Sequence, residues 1–218
     1  MSISDKKQKI GIFGGTFDPV HKGHLSVAGA VLKRYRLDKI VFIPAPYPPH
    51  KRRPLADFSH RVAMLESVLA DEPQISISLL EAERQPPSYT IDTLLELRDR
   101  VGDQQFYLII GADSFTEIHL WYMYKDLFRL TDLVVAARPG IDMKTIAAQI
   151  EFLPGDFQYD PKKEMWTRGD NFHIYYFSDI HVALSSSEIR NRLVRGDDVK
   201  EFLPTEIIDY IDKNHLYT

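Results

Sequence analysis

The stretch IGIFGGTFDPVHKGHL, Ile10 to Leu25, decides how this chain reads. Together with Lys9, its first residues form a short apolar run that ends at Gly14-Gly15, the pattern of a buried strand entering a tight turn. Leu25, Ala28, Leu32 and Tyr35 then recur at helical spacing. A strand, a glycine turn and a helix in that order bring unpaired N–H groups and the positive end of a helix dipole to one place, where an anion can approach. The turn matches neither G-x-G-x-x-G nor G-x-x-x-x-G-K-[ST], so a nicotinamide dehydrogenase and a P-loop NTPase are both unsupported. Instead it carries two imidazoles, His21 ahead of the helix and His24 in its first turn, and the i, i+3 spacing points both the same way.

Three chemistries compete for that pair. As metal ligands the histidines lack a third partner nearby apart from Asp18, and the pattern is not H-E-x-x-H, so no metal site built from protein ligands is expected. As structural residues they would cap the turn. As phosphate ligands they would donate imidazole N–H groups, and the glycines, Pro19 and the strand context favour this third reading.

Composition narrows the class. The 218 residues are 44% hydrophobic, enough for a sizeable core, and contain no cysteine, which excludes disulfides, Cys-zinc sites and thiol nucleophiles. MSISDKKQK lacks the apolar run of a signal peptide and no apolar stretch is long enough to span a bilayer, so a soluble, cytoplasmic protein without a membrane partner is expected. The net charge of −4 hides a basic segment, since eight Lys/Arg face only Asp38 between Val20 and Arg53. A basic block in an acidic chain favours a local anionic ligand over a nucleic-acid surface.

The rest of the chain alternates strand-like and helix-like runs. KIVFIP, QISISLL, QFYLIIGADS, DLVVAARPG and NFHIYYF read as strands; Phe58 to Ala70, TIDTLLELRDR, SSSEIRNRLVRG and PTEIIDYIDKNH read as helices, with Pro204 at the first turn of the last. The expected fold is α/β, a Rossmann-like, doubly wound, mainly parallel sheet with a small C-terminal helical part. No repeat or linker divides the chain, so residues 1–218 read as one domain, with the Pro/Gly/charge-rich 154–170 stretch as a surface insertion.

GGTFDPVHKGHL resembles the G-x-[FT]-D-P-x-H-x-G-H signature of the nucleotidyltransferase superfamily, and LSSSEIR (Leu184 to Arg190) is similar to its I-S-S-[ST]-x-I-R element, about 160 residues further on. The resemblance implies attack of a nucleotide phosphate on the α-phosphorus of ATP, with Mg²⁺ bridging the phosphates. It puts His21 and His24 on the ATP phosphates, with backbone N–H groups around Gly14, Gly15, Thr16 and Phe17 near the reacting phosphate. Ser185-x-x-Glu188 is by itself a capping box; beside the histidine motif, the same helix start is a second anion site, where Ser186 and Ser187 offer donors and Arg190 can fork onto the terminal phosphates. Lys51 in PPHKRR is either a further charge or a solvated lysine.

Three more elements are similar to bacterial nicotinate-nucleotide adenylyltransferases: PPHK, PPSYT (Pro86 to Thr90), and IIGADS followed by Trp121. Pro46 departs from that pattern, where many relatives carry a polar residue. The implied substrates are ATP and nicotinate mononucleotide, with Trp121 stacking on the pyridine ring and Tyr89 and Thr90, at a helix start, holding its carboxylate. Asp113 would bind the adenosine ribose, or cap a helix with Ser114. Arg138 in RPG is an anion contact without an assigned place. The alternatives are adenylyl transfer to nicotinamide mononucleotide or another phosphate, and a nucleotide-binding module without turnover. No oligomeric state follows from the pattern.

Overall fold

A computed structural model describes residues 7–47, 56–179 and 185–218. β1 (Lys9–Gly15), β2 (Lys39–Pro44), β3 (Ile75–Ile77), β4 (Gln105–Gly111), β5 (Asp132–Ala136) and β8 (His173–Phe177) are joined in parallel, while β6 (Phe157–Asp160) and β7 (Met165–Arg168) add an antiparallel hairpin. The order is β3-β2-β1-β4-β5-β8-β7-β6. Each central strand alternates its side chains between two cores, as a sheet covered on both faces requires. Ile10, Ile12, Leu108 and Val135 face one layer; Phe13, Phe42, Ile109 and Val134 face the other.

The first layer is closed by α3 (Thr90–Val101), α4 (Ala112–Thr116), α5 (Tyr124–Leu127) and α6 (Met143–Glu151). The second is closed by α1 (Lys22–Arg34), α2 (Phe58–Leu69), α7 (Ser186–Arg195) and α8 (Thr205–Lys213). Gly11 allows the sheet to close against its neighbours, since a Cβ there would lie 2.9 Å from both Ile40 Cγ1 and Leu37 Cδ1. Among the described residues no helix is long and apolar enough to cross a membrane.

Two stretches depart from the pattern read in the sequence. QISISLL is a strand for only three residues, because the chain leaves the sheet edge and turns through Leu80–Glu83 to bury Leu80 completely. The 154–170 stretch supplies β6 and β7, in register with β8, and buries Met165 and Trp166. Its polar character reflects the edge strand β6 and the short connection to β7, where Glu164 takes a positive φ of 48°.

Strand order reverses between β1 and β4, so their carboxyl ends open a crevice with no crossover above it. The candidate site lies in that crevice.

Candidate active site

The crevice is a cleft of about 910 Å³. Gly14 to Phe17, His21 and His24 line it from the β1–α1 turn, and Ser186 and Ser187 from the start of α7. Tyr89, Thr90 and Trp121 form the opposite wall, with Asp113 and Arg138 between. All the sequence-derived candidates within the described residues therefore meet at one place except Arg190, which sits behind the α7 wall. Lys51 and the PPHK element lie outside the described residues.

The β1–α1 turn is built from close contacts. A Cβ on Gly15 would come within 2.9 Å of the Phe17 ring, whereas one on Gly14 would meet no atom of the described residues within 4 Å. Gly15 is thus required by packing, and Gly14 leaves open space at the cleft. Phe17 takes a left-handed φ of 50° and drives its ring into the core, edge-on to His24 at 5.1 Å. The side chain of Phe17 is therefore core, and the contribution of this residue to the cleft is backbone.

His21 is the N-cap of α1 and His24 its third residue, and their rings stack with centroids 3.7 Å apart. The His21 backbone N–H donates to His24 Nδ1 at 3.3 Å, which assigns the His24 ring proton to Nε2. Burial, reinforced by the positive charge of Arg138, lowers His21 to about 4, so this imidazole is neutral at physiological pH. Its Nε2 is buried and has no hydrogen-bond partner among the described residues. Such an orphan in a cleft wall is an unspent polar contact for a ligand.

Arg61 on α2 holds the two loops that frame the turn. It is fully buried and donates to the carbonyls of Thr16 (2.7 Å), Ala45 (2.8 Å), Pro46 (3.3 Å) and Ala56 (3.3 Å). The Pro46 position thus serves through its carbonyl, which any residue supplies. Sequence reading passed over Arg61, although its phase between Phe58 and Leu65 places it on the apolar face of α2.

The second anion element is tied to the first. Ser185 caps α7 by accepting from the Glu188 N–H, Ser186 Oγ donates to the Pro19 carbonyl at 3.1 Å, and Arg190 donates to Asp18 O at 2.6 Å and to Ser187 Oγ at 3.2 Å. The capping and anion readings are compatible, because Ser185 does the capping and leaves Ser186 and Ser187 on the cleft.

On the far wall Tyr89 is the N-cap of α3 and Thr90 its first residue, so the free N–H groups of that helix face the cleft region. Tyr89 packs against the exposed Tyr122 at 4.6 Å, and Trp121 is half-buried. Ser88, unnoticed in the sequence, is buried beside them with an Oγ that has no partner among the described residues. Its signal was its place ahead of the helix start. Glu81 also lines the wall; burial pushes its carboxyl up, while a hydrogen bond from Thr93 and the nearby Arg84 pull it back.

Asp113 lies inside the first turn of α4, whose N-cap is Gly111, so it does not cap that helix. Its carboxylate instead stands 3.7 Å from Arg138 Nε, an approach that Gly111 permits, since a Cβ there would strike Asp113 and press to 3.3 Å from Arg138 Nε. Arg138, just beyond β5, is the one Lys or Arg among the described residues that line the cleft. Among the described residues no group of three His, Cys, Asp or Glu is arranged to hold a metal ion.

Residues 12–192 match the family model described as cytidylyltransferase-like. Over 216 residues the chain is 38% identical to the probable nicotinate-nucleotide adenylyltransferase of Citrifermentans bemidjiense, covering 96% of this chain and 98% of that protein. The same description applies to a relative from Methylococcus capsulatus, 35% identical over 209 residues that span 95% of this chain and 99% of its own. Among solved structures, Plasmodium falciparum nicotinic acid mononucleotide adenylyltransferase complexed with NaAD shares the fold, with a TM-score of 0.75 at 22% identity over 96% of this chain and 97% of that one.

Proposed function

Because the chain belongs to the cytidylyltransferase-like family, and within it to the nicotinate-nucleotide adenylyltransferases, we propose that it transfers the adenylyl group of ATP to nicotinate mononucleotide, giving nicotinate adenine dinucleotide and pyrophosphate. The observation that carries this reading is that the cleft at the β1/β4 switch point gathers two helix starts bearing histidines and serines together with the α3 start and Trp121.

In the reaction, a phosphate oxygen of the mononucleotide forms a bond to the α-phosphorus of ATP as the bond to the β-phosphate oxygen breaks. The nucleophile is already anionic, so no side chain has to remove a proton. The work left to the protein is alignment and stabilisation of charge. His21, a neutral imidazole, and His24 beside it donate to ATP phosphates, adding hydrogen bonds from fixed rings. Ser186, Ser187 and the α7 start receive the pyrophosphate portion, with Arg190 behind them. Arg138 offsets the charge of the approaching phosphates, and Asp113 turns to the ribose hydroxyls once that phosphate draws its partner away.

Mg²⁺ enters as part of the ATP substrate, since the described residues of the cleft offer scattered carboxylates instead of a cage. The pyridine ring stacks on Trp121 and its carboxylate meets the N–H groups at the α3 start and the Ser88 hydroxyl. A carboxamide gains less from such donors. The protein works as one domain built around one eight-stranded sheet.

The test is pyrophosphate release from ATP and Mg²⁺ with nicotinate mononucleotide or nicotinamide mononucleotide at equal concentration. Strong preference for the acid is expected. Equal rates would overturn the assignment of the ring site and leave the phosphate chemistry standing.

A further inference from the structure

Glu81 puts a buried carboxyl into the wall of the cleft, and the adenylyl transfer itself has no use for it. It stands in the turn Leu80–Glu83, which the completely buried Leu80 anchors in the core layer that α3 covers. Its Oε1 accepts from Thr93 Oγ1 at 2.7 Å, and that hydroxyl in turn accepts from Arg84 Nη2 at 2.7 Å. Arg84 is held on its other side by Glu96 Oε2 at 3.1 Å. Thr93 is 3% exposed and lines the cleft together with Ser88, Tyr89 and Thr90.

Thr93 Oγ1 has a second acceptor within reach. The carbonyl of Tyr89, the N-cap of α3, lies 3.2 Å away and four residues back. A hydroxyl has one proton to give. The shorter contact and the carboxyl acceptor assign it to Glu81, which leaves the Tyr89 carbonyl to the Thr93 backbone N–H at 3.2 Å, the first bond of the helix ladder. We propose that Glu81 is a positioning residue for acceptor selectivity: by taking the Thr93 proton it prevents a bond back to Tyr89 and holds the first turn of α3 in the shape that receives a carboxylate. This rests on the reading that the ring carboxylate of the mononucleotide meets the α3 start.

A threonine hydroxyl bonded to the carbonyl four residues back competes with the backbone and bends its helix. In α3 that bend falls at the N-cap, so it moves the free N–H groups of the first turn and the adjoining Ser88, whose buried Oγ has no partner among the described residues. A carboxylate draws more from those donors than a carboxamide does, so the loss falls mainly on the acid. Arg84 keeps Thr93 and Glu96 when Glu81 is replaced, which confines the change to the Thr93 proton. The sign separates this role from a direct effect of charge: a Glu81 that acted only as a negative group near the ring would favour the acid on its removal. Burial raises the Glu81 carboxyl while the Thr93 hydrogen bond and Arg84 oppose the shift, and in either protonation state an oxygen remains to accept from Thr93.

Glu81→Met removes the oxygen acceptor at matching length, and Glu81→Gln keeps one. The readout is the ratio of kcat/KM for nicotinate mononucleotide to that for nicotinamide mononucleotide, with calorimetric ATP binding and a melting temperature beside it. Glu81→Met is expected to lower the ratio about tenfold, through KM for the acid, with ATP affinity within about twofold of wild type. Glu81→Gln is expected to keep the wild-type ratio, because its amide oxygen still accepts from Thr93. In a Thr93→Val background, which has no proton to redirect, adding Glu81→Met should shift the ratio less than about twofold. Glu81→Leu makes the same measurement should the methionine variant not fold. An unchanged or raised ratio in the folded variant would overturn the proposal. So would Glu81→Gln behaving like Glu81→Met, which would mark charge as the cause. A wild type that prefers the acid, beside a Glu81→Met that keeps the preference, removes this proposal alone; a wild type without acid preference removes the ring-site reading and this proposal with it.

Discussion

The imidazoles of His21 and His24 stack at 3.7 Å with 26° between their planes, and the rings of Phe13 and Phe17 stand edge-on to His24. Two rings so close are poor sites for two positive charges. Their chemistry is that of aimed hydrogen-bond donors, and charge compensation falls to the arginines.

Replacing His21 with Ala is therefore expected to reduce turnover roughly 10²- to 10³-fold, the usual cost of deleting one preorganised donor. His21→Asn, which retains an N–H, should recover part of the loss. The measurement is steady-state pyrophosphate release by folded, purified variants, and near-wild-type activity of His21→Ala would remove this residue from the mechanism.

The neutral state of His21 has a consequence for stability. Its folded value of about 4 lies below the ordinary 6.5, so between those limits the unfolded chain binds the additional proton and stability falls as pH falls. At pH 5 the loss from this group is about 2 kcal/mol relative to pH 7. Urea unfolding at both pH values should show His21→Asn losing less than wild type; equal losses would contradict the buried neutral assignment.

Arg138 is expected to bind substrate phosphate, so Arg138→Ala should raise KM for ATP or the mononucleotide about tenfold with little change in melting temperature. Because Arg138 also helps hold His21 neutral, the variant should raise the His21 value above about 4, readable by NMR titration of the ring. An unchanged KM together with an unchanged titration would place Arg138 outside the site.

The two glycines of the turn should part company on substitution. Gly15→Ala sets a methyl 2.9 Å from the Phe17 ring and is expected to cost about 1–3 kcal/mol of stability. Gly14→Ala meets none of the described residues within 4 Å, so stability should hold while ATP affinity falls. Thermal melts and ATP titrations of both variants separate the two effects.

What the sequence made legible was whatever is encoded locally. Gly14, Gly15, His21 and His24 sit within one turn, and Ser185 to Arg190 within one helix start, so each group could be read as a local motif, while its role came from the family resemblance. The short apolar runs of β1, β2, β4, β5 and β8, alternating with helix-like runs, likewise carried the parallel sheet. Arg61 and Glu81 escaped because their meaning lies in partners elsewhere in the chain: Thr16 and Ala45 for one, Thr93 for the other. The β6–β7 hairpin escaped because four-residue strands around a charged turn are too short and polar for period-two alternation to stand out. Arg138 was visible as a residue and invisible as a site component, since only the sheet brings the end of β5 beside the ends of β1 and β4.

The central claim is adenylyl transfer, and the fate of labelled phosphorus tests it most directly. ATP labelled at the α-phosphate should pass its label into the dinucleotide product in one-to-one yield with pyrophosphate, while label at the γ-phosphate appears wholly in pyrophosphate. Label from the γ-phosphate on the mononucleotide, or release of inorganic phosphate in place of pyrophosphate, would contradict the account.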